Sequence, residues 1–172
     1  MYKFKTEPYE HQKDALKKCW NKKAFAIFAE MGTGKTKIAL DNASILYNQG
    51  KIDNLLVIAP KGTYMTWVEQ EIPIHIPDYI DMEVLAWKPS TSEKYKAQLR
   101  ALRKTKFKLR IFVMNVEALS TKKGMKEAML FLNFKSMMIV DESTTIKNPK
   151  AKRTKNILSL AKEAKYRRIL TG

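Results

Sequence analysis

The sequence predicts an α/β domain with a mostly parallel sheet and helices on both faces. Three observations carry that expectation. Six short apolar runs recur along the chain, amphipathic stretches at helical spacing separate them, and three of the runs are almost continuously apolar. Strands buried on both faces of a parallel sheet read that way, and alternation of strands with helices favours parallel pairing.

Taken in order, residues 10–20 are expected to form a helix and "AFAIFA" (24–29) the first strand. Residues 34–48 carry Ile38, Ala39, Ala43 and Leu46 at helical spacing, with Gly50 as a natural stop. "LLVIAP" (55–60) and "MEVLAW" (82–87) follow as strands. A helix over 92–104 opens on Ser92 and places Tyr95, Leu99 and Leu102 on one side. "RIFVMN" (110–115) is the fourth strand, 124–132 a helix, and "MMIVDE" (137–142) the fifth strand. Residues 150–164, with Ile157, Leu160, Ala161 and Ala164, make the last helix before "RRILTG" (167–172). The second, fourth and fifth runs are the continuously apolar ones.

A chain of 172 residues with 45% hydrophobic content fills one core and is short for two. No apolar run reaches the roughly 20 residues that span a bilayer, and the N-terminus lacks a signal-peptide centre, so an intracellular location in cytoplasm, nucleoid or nucleus is expected, with no membrane partner. The single cysteine, Cys19, is expected to be a packing residue. Thirty-three Lys and Arg against 17 Asp and Glu give a formal charge of +16, which suits a polyanion partner such as nucleic acid. The lysines are scattered along the sequence.

The run "EMGTGKT" (30–36) stands between the first strand and its helix, at the carboxyl edge where open α/β sheets bind ligands. Gly32 and Gly34 permit a sharp turn and let oxygen atoms approach backbone N–H groups. The helix start aims unsatisfied N–H groups and a positive dipole end into that loop. Lys35 adds a charge for terminal phosphates, and the Thr36 hydroxyl suits Mg²⁺. Met31, Gly32, Thr33, Gly34, Lys35 and Thr36 thus form a candidate triphosphate cradle, although Ala29 stands where the strict pattern has glycine. "MMIVDES" delivers Asp141 and Glu142 at a strand end, and adjacent strand residues point opposite ways. Asp141 on the metal and Glu142 on the attacking water is the natural division of labour. The alternative is an ordinary acidic turn.

The order of these motifs resembles the first RecA-like motor domain of superfamily-two helicases, most closely the SWI/SNF-type translocases of double-stranded DNA. "PYEHQKDAL" is similar to the family's glutamine motif, which makes Gln12 the adenine reader. "AEMGTGKTKIA" resembles the first motif, "VIAPKGTYMTWVEQE" the next, and "VMNVEAL" a later one with Val116 in an aromatic position. "VDESTTIKNPKAKRTK" resembles the extended acidic motif, with Thr144 where His is frequent, and "LTG" (170–172) the opening of the third motif.

The resemblance implies a single RecA-like P-loop NTPase domain over residues 1–172, with ATP and Mg²⁺ as cofactors and Lys35 and Glu142 as catalytic residues. It implies that the third-motif strand inserts between the cradle strand and the acidic strand. DNA phosphates would meet Lys61, Thr63, Asn115 and Lys147, the lysine at 61 being otherwise a solvated loop residue and Trp67 a packing residue. A second RecA-like lobe carrying arginine fingers would complete the motor, so hydrolysis by this chain alone is expected to be weak. A strand-separating helicase, a restriction-system motor, a non-hydrolysing binding module and a small-molecule kinase are the other readings of the same residues.

Overall fold

A computed structural model describes residues 2–30, 32–141 and 148–172. Met31, Glu142, Thr144 and Lys147 lie outside the described residues. Six strands form one sheet: β1 (Ala24–Phe28), β2 (Asn54–Ala59), β3 (Met82–Ala86), β4 (Leu109–Asn115), β5 (Ser136–Asp141) and β6 (Tyr166–Thr171). Every pairing is parallel, in the spatial order β1-β6-β5-β2-β4-β3. The third-motif strand β6 does insert between β1 and β5, as expected.

The continuous apolarity of β2, β4 and β5 follows from their central positions. Successive side chains leave a strand on opposite faces, so each of these strands must feed two cores. Leu55, Val57, Ile111, Val113, Met137 and Ile139 enter one core. Leu56, Ile58, Phe112, Met114, Met138 and Val140 enter the other. The first core is closed by α1 (Glu10–Cys19), α2 (Lys35–Asn48) and a broken helical passage after β2. That passage comprises α3 (Tyr64–Thr66), a π-helical turn (Trp67–Glu71) and α4 (Ile72–His75). The second core is closed by α5 (Glu93–Lys104), α6 (Lys122–Phe131) and α7 (Lys152–Glu163).

All six expected strands and all five expected helices are present, with ends shifted by two residues or fewer. The broken passage over 64–75 has no counterpart among the expected elements. Cys19 is buried, as expected, and approaches the Asn42 amide oxygen. Arg168, fully buried in β6, donates to the Asn42 side chain and to the Cys19 carbonyl, at 2.8 and 2.7 Å. Burial lowers its pKa from the usual value, and these carbonyl oxygens partly offset the cost of holding a guanidinium there. Among the described residues no helix is long and apolar enough to cross a membrane.

Candidate functional site

β1 is apolar up to Phe28, and the chain then turns before α2 begins. Gly32 and Gly34 hold φ of 81° and 84° in that turn, values that cost a residue with a Cβ about 1–2 kcal/mol. Gly34 meets a second demand, because a Cβ there would collide with the Gln12 amide nitrogen. Thr33 closes the turn by donating its N–H and its hydroxyl to the Glu30 carbonyl, at 3.3 and 2.7 Å.

Gln12 supports the turn from beneath. It is only 3% exposed; its Oε1 accepts from the Tyr9 N–H at 2.8 Å and its Nε2 donates to the Thr33 carbonyl at 3.3 Å. A ring nitrogen of His11 lies 3.0 Å from that same carbonyl. The residue expected to read a base is therefore also a brace for the loop.

The first bond within α2 runs from the Ile38 N–H to the Gly34 carbonyl, at 3.0 Å. The N–H groups of Lys35, Thr36 and Lys37 precede it and have no carbonyl within the helix. With the dipole's positive end they form a place for an anion. The Lys35 ammonium donates to the Ala29 carbonyl at 2.9 Å, so it lies along the loop rather than out in solvent. Gly172 packs on the same two groups: a Cβ there would fall 2.5 Å from the Lys35 ammonium and 2.7 Å from the Ala29 oxygen.

Opposite stands the end of β5. Ile27 pairs with Leu170 and Leu170 with Asp141, which sets Asp141 two strands from the cradle, about 10 Å away at the ladder. Asp141, Gln12 and the run from Gly32 to Lys37 line one cleft of about 460 Å³. The indole N–H of Trp67 donates to Asp141 Oδ2 at 2.9 Å. Trp67 is a packing residue as expected, at 2% exposed, but its nitrogen also orients this carboxylate. The π-helical turn that starts at Trp67 inserts an extra residue into the helix, a device that re-aims side chains and recurs at functional sites.

Two residues beyond Lys35 begins a polar cluster that borders the cleft. Lys37 donates to Asp41 Oδ2 at 2.8 Å and to the Thr6 carbonyl and hydroxyl at 2.7 and 2.8 Å. His75 adjoins Thr6 at 3.4 Å and pairs with Glu71 at 3.2 Å. Burial pushes the Asp41 carboxyl up to about 6, against the pull of the Lys37 ammonium. Burial likewise lowers His75 from its ordinary value, while Glu71 opposes the shift. Nothing in the sequence distinguishes Lys37 and Asp41 from a solvated pair spaced four apart on a helix.

The residues expected to meet DNA divide into two kinds. Lys61 and Thr63 are exposed in the turn after β2, where Thr63 donates its N–H and hydroxyl to the Pro60 carbonyl at 3.0 and 3.3 Å. Asn115 is 8% exposed, and its side-chain oxygen caps the following 3-10 turn by accepting from the Ala118 N–H at 2.9 Å. That bond gives Asn115 a structural duty beside the phosphate contact expected of it. Val116, in the aromatic position, is buried in the second core.

The cleft's donor set suits Mg²⁺. Thr36 and Asp141 offer two oxygens, and among the described residues no cluster of three or more His, Cys, Asp or Glu could hold a metal. Mg²⁺ is commonly bound by one or two protein oxygens while water and substrate phosphates fill the remaining positions.

The profile of the SNF2-related domain matches residues 11–172. A search for sequence relatives among curated proteins finds no match. The fold is similar to that of the Sulfolobus solfataricus SWI2/SNF2 ATPase core in complex with dsDNA, with a TM-score of 0.74 and 23% identity over 99% of this chain. It is also similar to the UvsW helicase from Bacteriophage T4, with a TM-score of 0.64 and 17% identity over 97% of the chain. The chain spans 33% of the length of the first and 53% of the second.

Proposed function

Since the chain belongs to the SNF2-related domain family, we propose that it is the ATP-binding lobe of a DNA-dependent ATPase that translocates on double-stranded DNA. The observation that carries this reading is the shared cleft. A glycine turn, a helix start, Lys35, Thr36 and Asp141 converge at the carboxyl edge of a parallel sheet. The RecA-like fold and the dsDNA bound by the Sulfolobus core support it.

In this reading the triphosphate lies over the N–H groups that open α2, and Lys35 exchanges the Ala29 carbonyl for phosphate oxygens. Loop residues Met31, Gly32, Thr33 and Gly34 surround the phosphate tail, and Gln12 holds the loop while its remaining amide hydrogen meets the adenine edge. Thr36 and Asp141 would hold Mg²⁺, with Trp67 fixing the carboxylate's direction. When bound, Mg²⁺ would supply positive charge to offset the negative charge of the phosphates. Glu142 orients the water that attacks the terminal phosphorus, and a second RecA-like lobe supplies arginines for the developing charge. Lys61, Thr63, Asn115 and Lys147 are the phosphate-backbone contacts. Such contacts carry no base identity, as a motor that walks any sequence requires.

The test is ATP binding and turnover by the chain, with and without duplex DNA. Binding of a fluorescent ATP analogue is expected, abolished by Lys35→Ala, with weak turnover that a second lobe raises by about 10³ or more on the precedent of trans-supplied arginines. Absence of ATP binding by the chain contradicts the nucleotide reading. Robust DNA-stimulated turnover by the chain alone contradicts its dependence on a second lobe.

A further inference from the structure

The sheet's other edge carries a surface that the nucleotide reading does not use. Because all six strands are parallel, the loops that precede them gather on one edge. Lysines scattered in sequence meet there: Lys22 and Lys23 before β1, Lys106 and Lys108 before β4, Lys135 before β5 and Lys165 before β6. From β1 to β4 is four strand spacings, so the row is about 19 Å long. Lys106 has no ion pair among the described residues, Lys108 has a distant one with Glu83 at 3.9 Å, and Lys135 pairs with Asp53 at 3.4 Å.

Two phenyl rings stand in the row. Phe107 is 93% exposed and Phe134 is 82% exposed, in the loops before β4 and β5. Those strands flank β2, which separates the rings by about 10 Å at the ladder. Phe107 holds a φ of 63°, uncommon for a bulky residue, and this conformation turns it outward between Lys106 and Lys108. Beside it a cavity of about 640 Å³ is lined by Tyr47, Phe107, Lys106, Lys108 and Arg110, with Asp53 among them.

We propose that this amino edge is a second nucleic-acid surface, fitted to an unpaired strand rather than a duplex. The lysine row tracks the phosphates, and Phe107 and Phe134 offer flat faces for splayed bases. Lysines that follow a backbone, interleaved with exposed aromatic rings, are the recurring design for sequence-tolerant single-strand binding. A duplex would use the lysines and leave the rings in water. An acidic protein segment would do the same. The proposal does not depend on nucleotide binding at the opposite edge.

The experiment is fluorescence anisotropy of the full chain with labelled oligo-dT and with a duplex of equal length. The variants are Lys106→Glu/Lys108→Glu, Phe107→Leu, and Lys61→Glu as a control at the other edge. Phe107→Leu keeps the bulk and the backbone strain of an exposed side chain and removes only the ring. Charge reversal is expected to weaken oligo-dT binding at least ~10-fold and to lower the salt slope by about 1.4, at ~0.7 for each phosphate no longer neutralised. Phe107→Leu is expected to weaken oligo-dT binding by a factor of roughly 5–100, the range for removing one ring from under a base, and duplex binding little. Lys61→Glu is expected to spare oligo-dT. Unchanged oligo-dT affinity in the charge-reversal variant overturns the proposal. So does a Phe107→Leu variant that binds oligo-dT like the parent, or polyglutamate that displaces oligo-dT at equal charge concentration.

Discussion

The two edges of the sheet are built on opposite principles. At the carboxyl edge the polar groups are held by specific short bonds: Trp67 to Asp141, Gln12 to Thr33, Lys35 to Ala29, Lys37 to Asp41. Two glycines there occupy backbone conformations in which a side chain would be strained. At the amino edge the lysines are mostly exposed and their ion pairs are long, Lys135 to Asp53 at 3.4 Å and Lys108 to Glu83 at 3.9 Å. The difference teaches where geometry matters. Phosphoryl transfer needs groups held to within a fraction of an ångström, whereas attraction of a polyanion needs only charge density. Substitutions should therefore be costly at the first edge and mild at the second.

The largest effect is expected at Lys37. Lys37→Met leaves Asp41 buried without its cation and should cost about 3–5 kcal/mol in chemical denaturation, the range for one broken partner of a buried pair. Lys37→Met/Asp41→Leu should recover a good part of that loss. A cost below about 1 kcal/mol for the single variant would place the pair among ordinary surface bridges.

Trp67→Phe comes next. It keeps most of the packing and removes the indole donor to Asp141, for an expected cost of about 1–3 kcal/mol. If the chain is the nucleotide-binding lobe proposed above, turnover in the two-lobed protein should fall more than ATP affinity, because the carboxylate is misdirected while the cradle remains. Equal losses in both would assign Trp67 to packing alone. Gly34→Ala should cost at least ~1–2 kcal/mol from backbone strain and displace Gln12 as well, weakening ATP binding. Wild-type affinity in that variant would separate the loop's geometry from its function.

The pH response of Asp41 sharpens the comparison further. Its carboxyl is raised from an ordinary 3.8 to about 6 in the folded chain. The folded chain therefore holds this proton more tightly than the unfolded one. The associated stability is fully present below about pH 4 and is lost as pH rises through about 6. Melting temperature measured across that window should decline more in the parent than in Asp41→Asn. Parallel curves would remove Asp41 as the source. The smallest effect belongs to the amino edge: Phe107→Gly relieves a left-handed phenylalanine and should stabilise the fold by about 1 kcal/mol. Destabilisation by that change would mean that Phe107 makes contacts its exposure does not suggest.

Strand positions were legible because two-sided burial writes itself as an unbroken apolar run, as in "LLVIA" and "IFVM". The cradle was legible because all its parts are adjacent in sequence. The passage over 64–75 was not, because "YMTWVEQEIPIH" mixes polar and apolar residues around a π-helical turn and Pro73, with no single period to follow. The Trp67–Asp141 bond joins residues 74 apart, and no local pattern announces it. Lys37 and Asp41 looked like a solvated helix pair, since the segment around Thr6 that holds Lys37 lies 31 residues away in sequence. The lysines looked scattered because each loop contributes one or two, and parallel topology alone sorts them to one edge.

The central claim is that the glycine turn and Asp141 act on one nucleotide's phosphates from opposite sides. Titration of ATP into the chain with and without Mg²⁺ tests it most directly, comparing the parent with Lys35→Ala and Asp141→Asn. The account predicts that Lys35→Ala loses affinity under both conditions, whereas Asp141→Asn loses only the increment that Mg²⁺ confers. An Asp141→Asn chain that retains the full Mg²⁺ increment, or a Lys35→Ala chain that binds ATP like the parent, would contradict it.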